Sequence, residues 1–339
     1  MPALILTLET TCDETAAAVV NDNLEVLGSV VASQEKLHAE YGGVVPELAS
    51  RAHVERIYPV VQETLQRAGL RATELQAIAV ANRPGLAGSL LVGVAAAKAL
   101  AVALRLPLIT INHLQGHIYA GRIAAGREIF PCVGLVASGG HTSLYRCRSP
   151  LDFTLLGGTI DDAAGESFDK VAAMLGLPYP GGPALERAAR AGNPKAYPFP
   201  RTFLKDERLD FSFSGLKTAV RYALAPQGTE LPKPPLPEQL VSDISASFQA
   251  AVADCLIGKA IQAVRRERLD RLCFAGGVAA NKTIGGQLAA ACEKHKIELI
   301  IPPPALCTDN AVMGALAVER YRAGLFEPLD CDIVPGLER

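Results

Sequence analysis

The sequence predicts an α/β protein built twice over, with two lobes that each open on a β-hairpin. Residues 3–8 and 16–20 are apolar, β-capable runs flanking the polar turn Glu9-Thr10-Thr11-Cys12-Asp13-Glu14-Thr15, which reads as strand, turn, strand. The same design returns at residues 132–137 and 143–147, around Ser138-Gly139-Gly140-His141-Thr142. Strand-like and helix-like segments alternate elsewhere, which points to mostly parallel or mixed sheets. The repeat is one of motif and position, not of residue identity.

In chain order, residues 54–68 show helical spacing, 77–81 form a short strand, and 88–104 form a helix after the turn Arg83-Pro84-Gly85. Residues 106–111 read as a buried strand. Asn112 then stands where an N-cap belongs, its side chain able to accept from the free amides of a helix beginning at His113. In the second half, the proline-rich residues 226–237 are expected to be an exposed loop. A long helix follows near 244–265, then a strand at 272–274, a turn at 275–278 and a helix through 281–292.

Composition narrows the function classes. A chain of 339 residues, 49% hydrophobic and 20% charged, buries a sizeable core and is too long for one small module. Its 33 basic and 35 acidic residues leave a net charge of -2, so no global basic field is available and a nucleic acid must be met by a local patch. The first residues lack the basic and long apolar regions of a signal peptide, and the apolar run 88–104 is interrupted by Lys98 and short for a membrane span. We expect a cytoplasmic protein without a membrane partner. Eight scattered cysteines with no CxxC pair argue against a thiolate zinc cage or a disulfide framework. Trp is absent and aromatics are 5%, which argues against base stacking as the main mode of recognition.

His113 and His117 lie four apart on a short helix, so their imidazoles share one face and can grip a single ion; the alternative is two partly buried helix histidines. Leu114-Gln115-Gly116 between them lacks the general-base Glu of an HExxH metalloprotease. Asp309, just past Pro302-Pro303-Pro304, is the candidate third ligand, or else the N-cap of a helix starting near Asn310. Two histidines and a carboxylate with open positions favour Fe(II), with Zn(II) as competitor.

Ser138-Gly139-Gly140-His141-Thr142 offers backbone amides free of Cβ atoms that can approach phosphate oxygens, or is a plain Gly-Gly hairpin turn. Gly276-Gly277-Val278-Ala279-Ala280-Asn281 is a second glycine turn from strand into helix. Neither is GxGxxG, and no GxxxxGK[ST] is present, so Rossmann and P-loop chemistry have no support. In the segment from Thr159 to Lys170, Asp162, Glu166 and Asp169 are expected to share a helix face, which is costly unless a cation or ligand neutralises it. Asp169 beside the Gly181-Gly182 turn is a candidate to hold ligand hydroxyls. Phe211-Ser212-Phe213-Ser214-Gly215-Leu216-Lys217-Thr218 leads into a helix and says little alone.

Taken in order, the motifs Glu9 to Thr15, His38 to Glu47, His113 to His117, Ser138 to Thr142, Asp161 to Lys170, Phe211 to Thr218, Gly276 to Asn281 and Thr308-Asp309-Asn310 resemble the universal tRNA threonylcarbamoyladenosine transferase family, bacterial TsaD type, over nearly the whole chain. The resemblance implies the two-lobed actin-like and sugar-kinase-like ATPase fold, with duplicated mixed-sheet domains and helices on both faces. The N-terminal lobe would span 1–130, completed by about 310–339, and the C-terminal lobe 131–309. It implies transfer of the threonylcarbamoyl group from threonylcarbamoyl-AMP to the N6 amine of the adenosine 3′ to the anticodon, position 37, in tRNAs reading codons that begin with A. It places one divalent metal on His113, His117 and Asp309, and the nucleotide substrate on Val136, Ala137, Ser138, Gly139, Gly140, Asp169, Gly182 and Asn281. Asp13 and Glu14 are candidates for metal or phosphate handling or for proton acceptance. A paralogous TsaB-like subunit and a small TsaE-like ATPase are the implied partners. Where relatives usually read Gly-Pro-Gly-Leu, this chain has Arg83-Pro84-Gly85-Leu86. The densest basic set for tRNA is Arg187, Arg190, Lys195, Arg201, Lys205 and Arg208, of which at least half read first as solvated surface charge. Two other readings stand beside this one. A glycoprotein metallopeptidase lacks its Glu, and a non-catalytic nucleotide-binding subunit would need a silent site.

Overall fold

The computed structural model describes residues 2–336, and the chain divides into two compact units, one running to Glu128 and resuming at Thr308, the other spanning Ile129–Cys307. In the first unit, strands β1 (Leu4–Glu9), β2 (Glu14–Asn21), β3 (Val26–Ser33), β4 (Ala77–Arg83) and β5 (Leu108–Asn112) make a sheet in the order β3-β2-β1-β4-β5. The first three form an antiparallel meander, and β4 and β5 add in parallel on the far side of β1. In the second unit, β6 (Cys132–Ala137), β7 (Thr142–Ser149), β8 (Asp152–Gly158), β9 (Arg271–Ala275) and β10 (Glu298–Ile300) follow the order β10-β9-β6-β7-β8. Again an antiparallel meander carries two parallel strands beyond its first strand. The duplication expected from two hairpins is therefore a duplication of topology. The third meander strands β3 and β8 were not anticipated, because β3 is half-exposed and β8 alternates irregularly.

Helices α1 (Glu35–Ala39), α2 (Pro46–Ala68), α3 (Ala87–Leu104) and α4 (His113–Ala125) belong to the first unit. α2 starts at Pro46, not near 54. Proline in the first turn needs no amide partner and Glu47 complements the helix dipole, whereas the polar first turns hide the apolar period. The second unit carries α5 (Ala164–Met174), α6 (Gly181–Ala189), α7 (Ser214–Leu224), α8 (Glu238–Glu267) and α9 (Lys282–Lys294). By length and composition α3 and α8 could cross a membrane. In the fold α3 lays Val94, Ala97 and Ala101 on the first sheet, and its Lys98 donates to the Cys331 carbonyl. α8 buries Phe248, Val252, Leu256 and Val264 in the second core, where Phe168 meets Phe248 edge to face at 5.2 Å.

Parallel strands covered on both faces read as continuous apolar runs, and β4 is buried from Ala77 through Ala81. The cysteines are free thiols, and Cys132, Cys147, Cys255, Cys273, Cys292 and Cys307 are buried. The residues between α7 and α8 form a loop, exposed at most of its positions.

Candidate metal centre and glycine turns

In the first unit, Asn112 ends β5 and caps α4, its Oδ1 accepting from Leu114 N at 2.9 Å and Gln115 N at 3.3 Å. The cap starts the helix on His113, so His113 and His117 emerge one turn apart, with ring centroids 4.7 Å apart. Asp309 Oδ1 lies 3.1 Å from His117 Nε2 and 3.5 Å from His113 Nε2. The competing use of Asp309 as a helix cap falls to its neighbour: Asn310 Oδ1 accepts from Val312 N and Met313 N, at 3.0 and 3.3 Å.

The donor atoms of His113, His117 and Asp309 all lie within 4.8 Å of one another. Neighbouring ligands on an ion with bonds of about 2.1 Å stand roughly 3 to 3.5 Å apart, so little movement is needed to bring these three onto one centre. Among the described residues both nitrogens of the fully buried His117 lack a hydrogen-bond partner, although Asp309 Oδ1 stands 3.1 Å from Nε2. An imidazole taken from water and given nothing to bond is costly, and a metal ion at Nε2 relieves half of that cost. The cluster fits a divalent ion.

Charge around the cluster is mostly negative. Burial opposes a proton on His113, but the carboxylates of Glu9 and Asp309 outweigh it and push its pKa up to about 9. Burial holds His117 below the ordinary value, aided by His113, against the pull of Asp309. Burial, Asp13 and Asp309 push Glu14 from the ordinary 4.5 up to about 10, and the same surroundings raise the Cys12 thiol. Glu14 and Cys12 therefore lie within electrostatic reach of Asp309. The acidic turn that carries them is clamped from α2 by the fully buried His53, whose ring nitrogens lie 2.7 Å from Thr15 Oγ1 and 3.0 Å from the Cys12 carbonyl. Gln34 N donates to the Asp13 carbonyl at 3.0 Å, and His38 bonds the Gln34 side chain at 3.2 Å. His38 thus supports the turn through Gln34.

Glu14 yields a stability prediction. The folded chain binds its proton more tightly than the unfolded one, so the stabilisation is full below pH 4.5 and is lost as pH rises through about 10. For the metal-free protein, Glu14→Gln should flatten this dependence, and its melting temperature should gain on wild type by a few degrees between about pH 5 and pH 9. Parallel melting curves for the two proteins across that range would contradict the assignment.

In the second unit, the turns after β6 and β9 lie at the carboxyl ends of two adjacent parallel strands, with Val136 paired to Ala275, where open α/β sheets place their ligands. Val136 and Ala137 are fully buried, so only their backbone can meet a ligand. Gly139 and Gly140 are exposed, and no atom lies within 4 Å of where a Cβ would stand on either. Ser138 and Gly139 offer their carbonyls to Gly165 N and Glu166 N at the start of α5, both at 3.1 Å. Gly276 turns the chain out of β9 at φ +90°, and a Cβ there would stand 2.4 Å from the Ala137 carbonyl oxygen. Asp169 Oδ1 accepts from Gly181 N at 2.8 Å, while Gly182 faces open space. The Asn281 carboxamide is used by the fold itself, accepting from Ile284 N and donating to Gln249 Oε1, both at 2.9 Å.

Asp162 does not share the helix face of Glu166 and Asp169, because it precedes α5, whose N-cap is Ala163. Its charge is met inside the unit by Lys170 at 2.9 Å and Lys217 at 2.6 Å, and Lys170 also takes Glu166 at 2.7 Å. Those two amines hold Asp162 below the usual carboxylate range against the cost of burial. The aromatic and hydroxyl alternation resolves as a cap: Phe211 and Phe213 are buried, while Ser212 and Ser214 donate to Asp161, which also accepts from Phe213 N and Ser214 N at the start of α7. Among the basic candidates, Arg201 pairs with Asp254 at 3.0 Å and Arg208 with Asp206 at 2.8 Å, while Arg187, Arg190, Lys195 and Lys205 are exposed. Arg83 has no positive φ, so the position takes a side chain without strain.

Sequence reasoning missed the roles of Glu9, Thr11 and His53. Glu9 and Thr11 were read as turn residues, yet β1 runs through Glu9 and carries it into the core beside His113. A polar residue closing an otherwise apolar strand was the available signal.

The profile of the TsaD family, tRNA N6-adenosine threonylcarbamoyltransferase, matches residues 25–316. The chain is 54% identical to the tRNA N6-adenosine threonylcarbamoyltransferase of Rhodopirellula baltica, covering 99% of this chain and 97% of the relative. It is 50% identical to that of Moorella thermoacetica, covering 98% and 96%. Among solved structures, full-length HypF in its phosphate- and nucleotide-bound form aligns with a TM-score of 0.64 at 14% identity, over 96% of this chain and 56% of HypF. Component A of the (R)-2-hydroxyglutaryl-CoA dehydratase of Acidaminococcus fermentans aligns at 0.55 and 14% identity, over 95% and 99%. At 14% identity these likenesses speak for a shared α/β fold alone.

Proposed function

Because the chain belongs to the tRNA N6-adenosine threonylcarbamoyltransferase family and makes threonylcarbamoyladenosine in tRNA, we propose that His113, His117 and Asp309 hold the divalent ion of that reaction, with Fe(II) favoured over Zn(II). The observation that carries this is the buried, unpartnered His117 ring facing Asp309 beside a second imidazole. The donor is threonylcarbamoyl-AMP and the acceptor the N6 amine of adenosine 37. An aromatic amine is a weak nucleophile, so an activated acyl donor must be held in line with it and the charge growing on its carbonyl oxygen stabilised. A bound divalent ion supplies that Lewis-acid polarisation.

The chain's own residues do the rest. The backbone of the turn 136–140, with Gly182, receives the adenylate end. Asp169 fixes the Gly181 amide and so shapes that turn. Asn281 contributes through its position, since its carboxamide already caps α9. Asp13 and Glu14, on the acidic turn after β1, are the candidates to accept the proton released from the amine, the acceptor being whichever carboxylate is ionised when the ion is bound. The exposed Arg187, Arg190, Lys195 and Lys205 are left to meet tRNA phosphates.

The test is reconstitution. The purified chain, TsaB-like and TsaE-like partner proteins, threonylcarbamoyl-AMP and unmodified tRNA are incubated, and the digested RNA is read by nucleoside mass spectrometry. The expected result is a threonylcarbamoyl mass on adenosine that disappears with His113→Ala. Full activity in that variant would remove the metal assignment. Transfer that survives loss of either Asp13 or Glu14 would remove their role.

A further inference from the structure

We propose that Glu9 is a positioning residue of the metal centre, which locks the ring plane and tautomer of His113 so that Nε2 is presented as the donor. This rests on reading His113, His117 and Asp309 as ligands.

Glu9 closes β1 and is 2% exposed, so its carboxylate is surrounded by protein. Both oxygens are engaged. Oε1 accepts from Thr11 N at 2.6 Å, and Oε2 lies 3.0 Å from His113 Nδ1. Thr11 Oγ1 lies 3.1 Å from the same nitrogen. A carboxylate only accepts at this geometry, so the proton of the imidazole belongs on Nδ1 and the lone pair on Nε2, the nitrogen that faces Asp309. Among the described residues no lysine or arginine pairs with Glu9, and its ion-pair partner is His113. A buried carboxylate whose one cationic contact is a metal-ligand imidazole is the arrangement that orients ligands and raises their basicity in metal sites. His117 has no such support, since its Nδ1 lacks a partner. The alignment of the centre therefore rests on Glu9.

The decisive variant is Glu9→Gln. A carboxamide has one acceptor oxygen, whereas Thr11 N–H and His113 Nδ1–H both require one, so a donor is forced against a donor. Titration of the metal-free purified chain with Co(II), against a chromophoric chelator, should show affinity reduced about 10- to 100-fold. In the Zn(II)-loaded chain, where the His113 ring is neutral, its nitrogen NMR signature should change from a single Nδ1–H form bound through Nε2 to a mixture, which a role in strand packing alone would not produce. Wild-type affinity and an unchanged tautomer in folded Glu9→Gln would overturn the proposal. If that variant does not fold, Glu9→Asp decides: it keeps both acceptors but withdraws them by one methylene, and unchanged Co(II) affinity there would overturn the proposal as well. His113→Ala separates the two readings. Co(II) binding equal to wild type in His113→Ala defeats the ligand assignment itself, while binding lost in His113→Ala but intact in Glu9→Gln defeats only the role of Glu9.

Discussion

Replacing His117 by alanine is expected to abolish tRNA modification and to leave the purified chain without its divalent ion. Lewis-acid stabilisation contributes several kcal/mol to such a transition state. At 1.4 kcal/mol per decade the rate should therefore fall by about a thousandfold or more. The effect on the fold is expected to be smaller and of different origin. His117 is fully buried and its one polar neighbour is Asp309 at 3.1 Å, so truncation costs the metal-free protein the packing of one ring and that one contact. Nucleoside mass spectrometry, metal analysis and melting curves separate the two effects. Chelation should reproduce the variant's inactivity in wild type, and added metal should rescue wild type alone. A variant that retains its metal and turns over normally would remove His117 from the centre.

Gly276→Ala is expected to damage the second unit severely and to do so at the glycine turns. At φ +90° and ψ 166° the backbone occupies a region essentially reserved for glycine, and the new Cβ would stand 2.4 Å from the Ala137 carbonyl oxygen. The strain costs about 1 to 3 kcal/mol before the clash is counted, and relief requires the turns after β6 and β9 to part. Calorimetry with AMP should show adenylate binding lost, together with a lowered melting temperature. Gly182→Ala is the control for stability, because that position faces open space and the melting temperature should barely move. Unimpaired AMP binding in Gly276→Ala would mean that these turns do not form the adenylate site.

Much of the centre was legible because it is local. Asn112, His113 and His117 lie within one helical turn and its cap, and α-helix geometry alone puts the two imidazoles on one face. The hairpins were legible for the same reason, as apolar runs separated by short polar turns. Where local signals were weak, the reading stopped short: α2 was entered late, the edge strands β3 and β8 were absent, and Asp162 was carried onto a helix that starts after it.

By itself, then, the sequence determined what depends on near neighbours along the chain: the element types, the repeated hairpin, the histidine pair and the glycine turns. Tertiary structure decided what the pairing of distant segments controls. The shared strand order of the two sheets is one such result, since parallel neighbours such as β1 and β4 are joined by hydrogen bonds across long connections that no local period encodes. The cluster of His113, His117 and Asp309 is another. Asp309 reaches the histidines because Asn310 takes over the capping and because Gly116, between the two histidines, lets α4 approach the Met313 backbone, to which a Cβ would stand at 3.1 Å. Glu9 reaches His113 across 104 residues only once β1 pairs with β4 and β4 with β5, and so its role emerged only when the chain was packed.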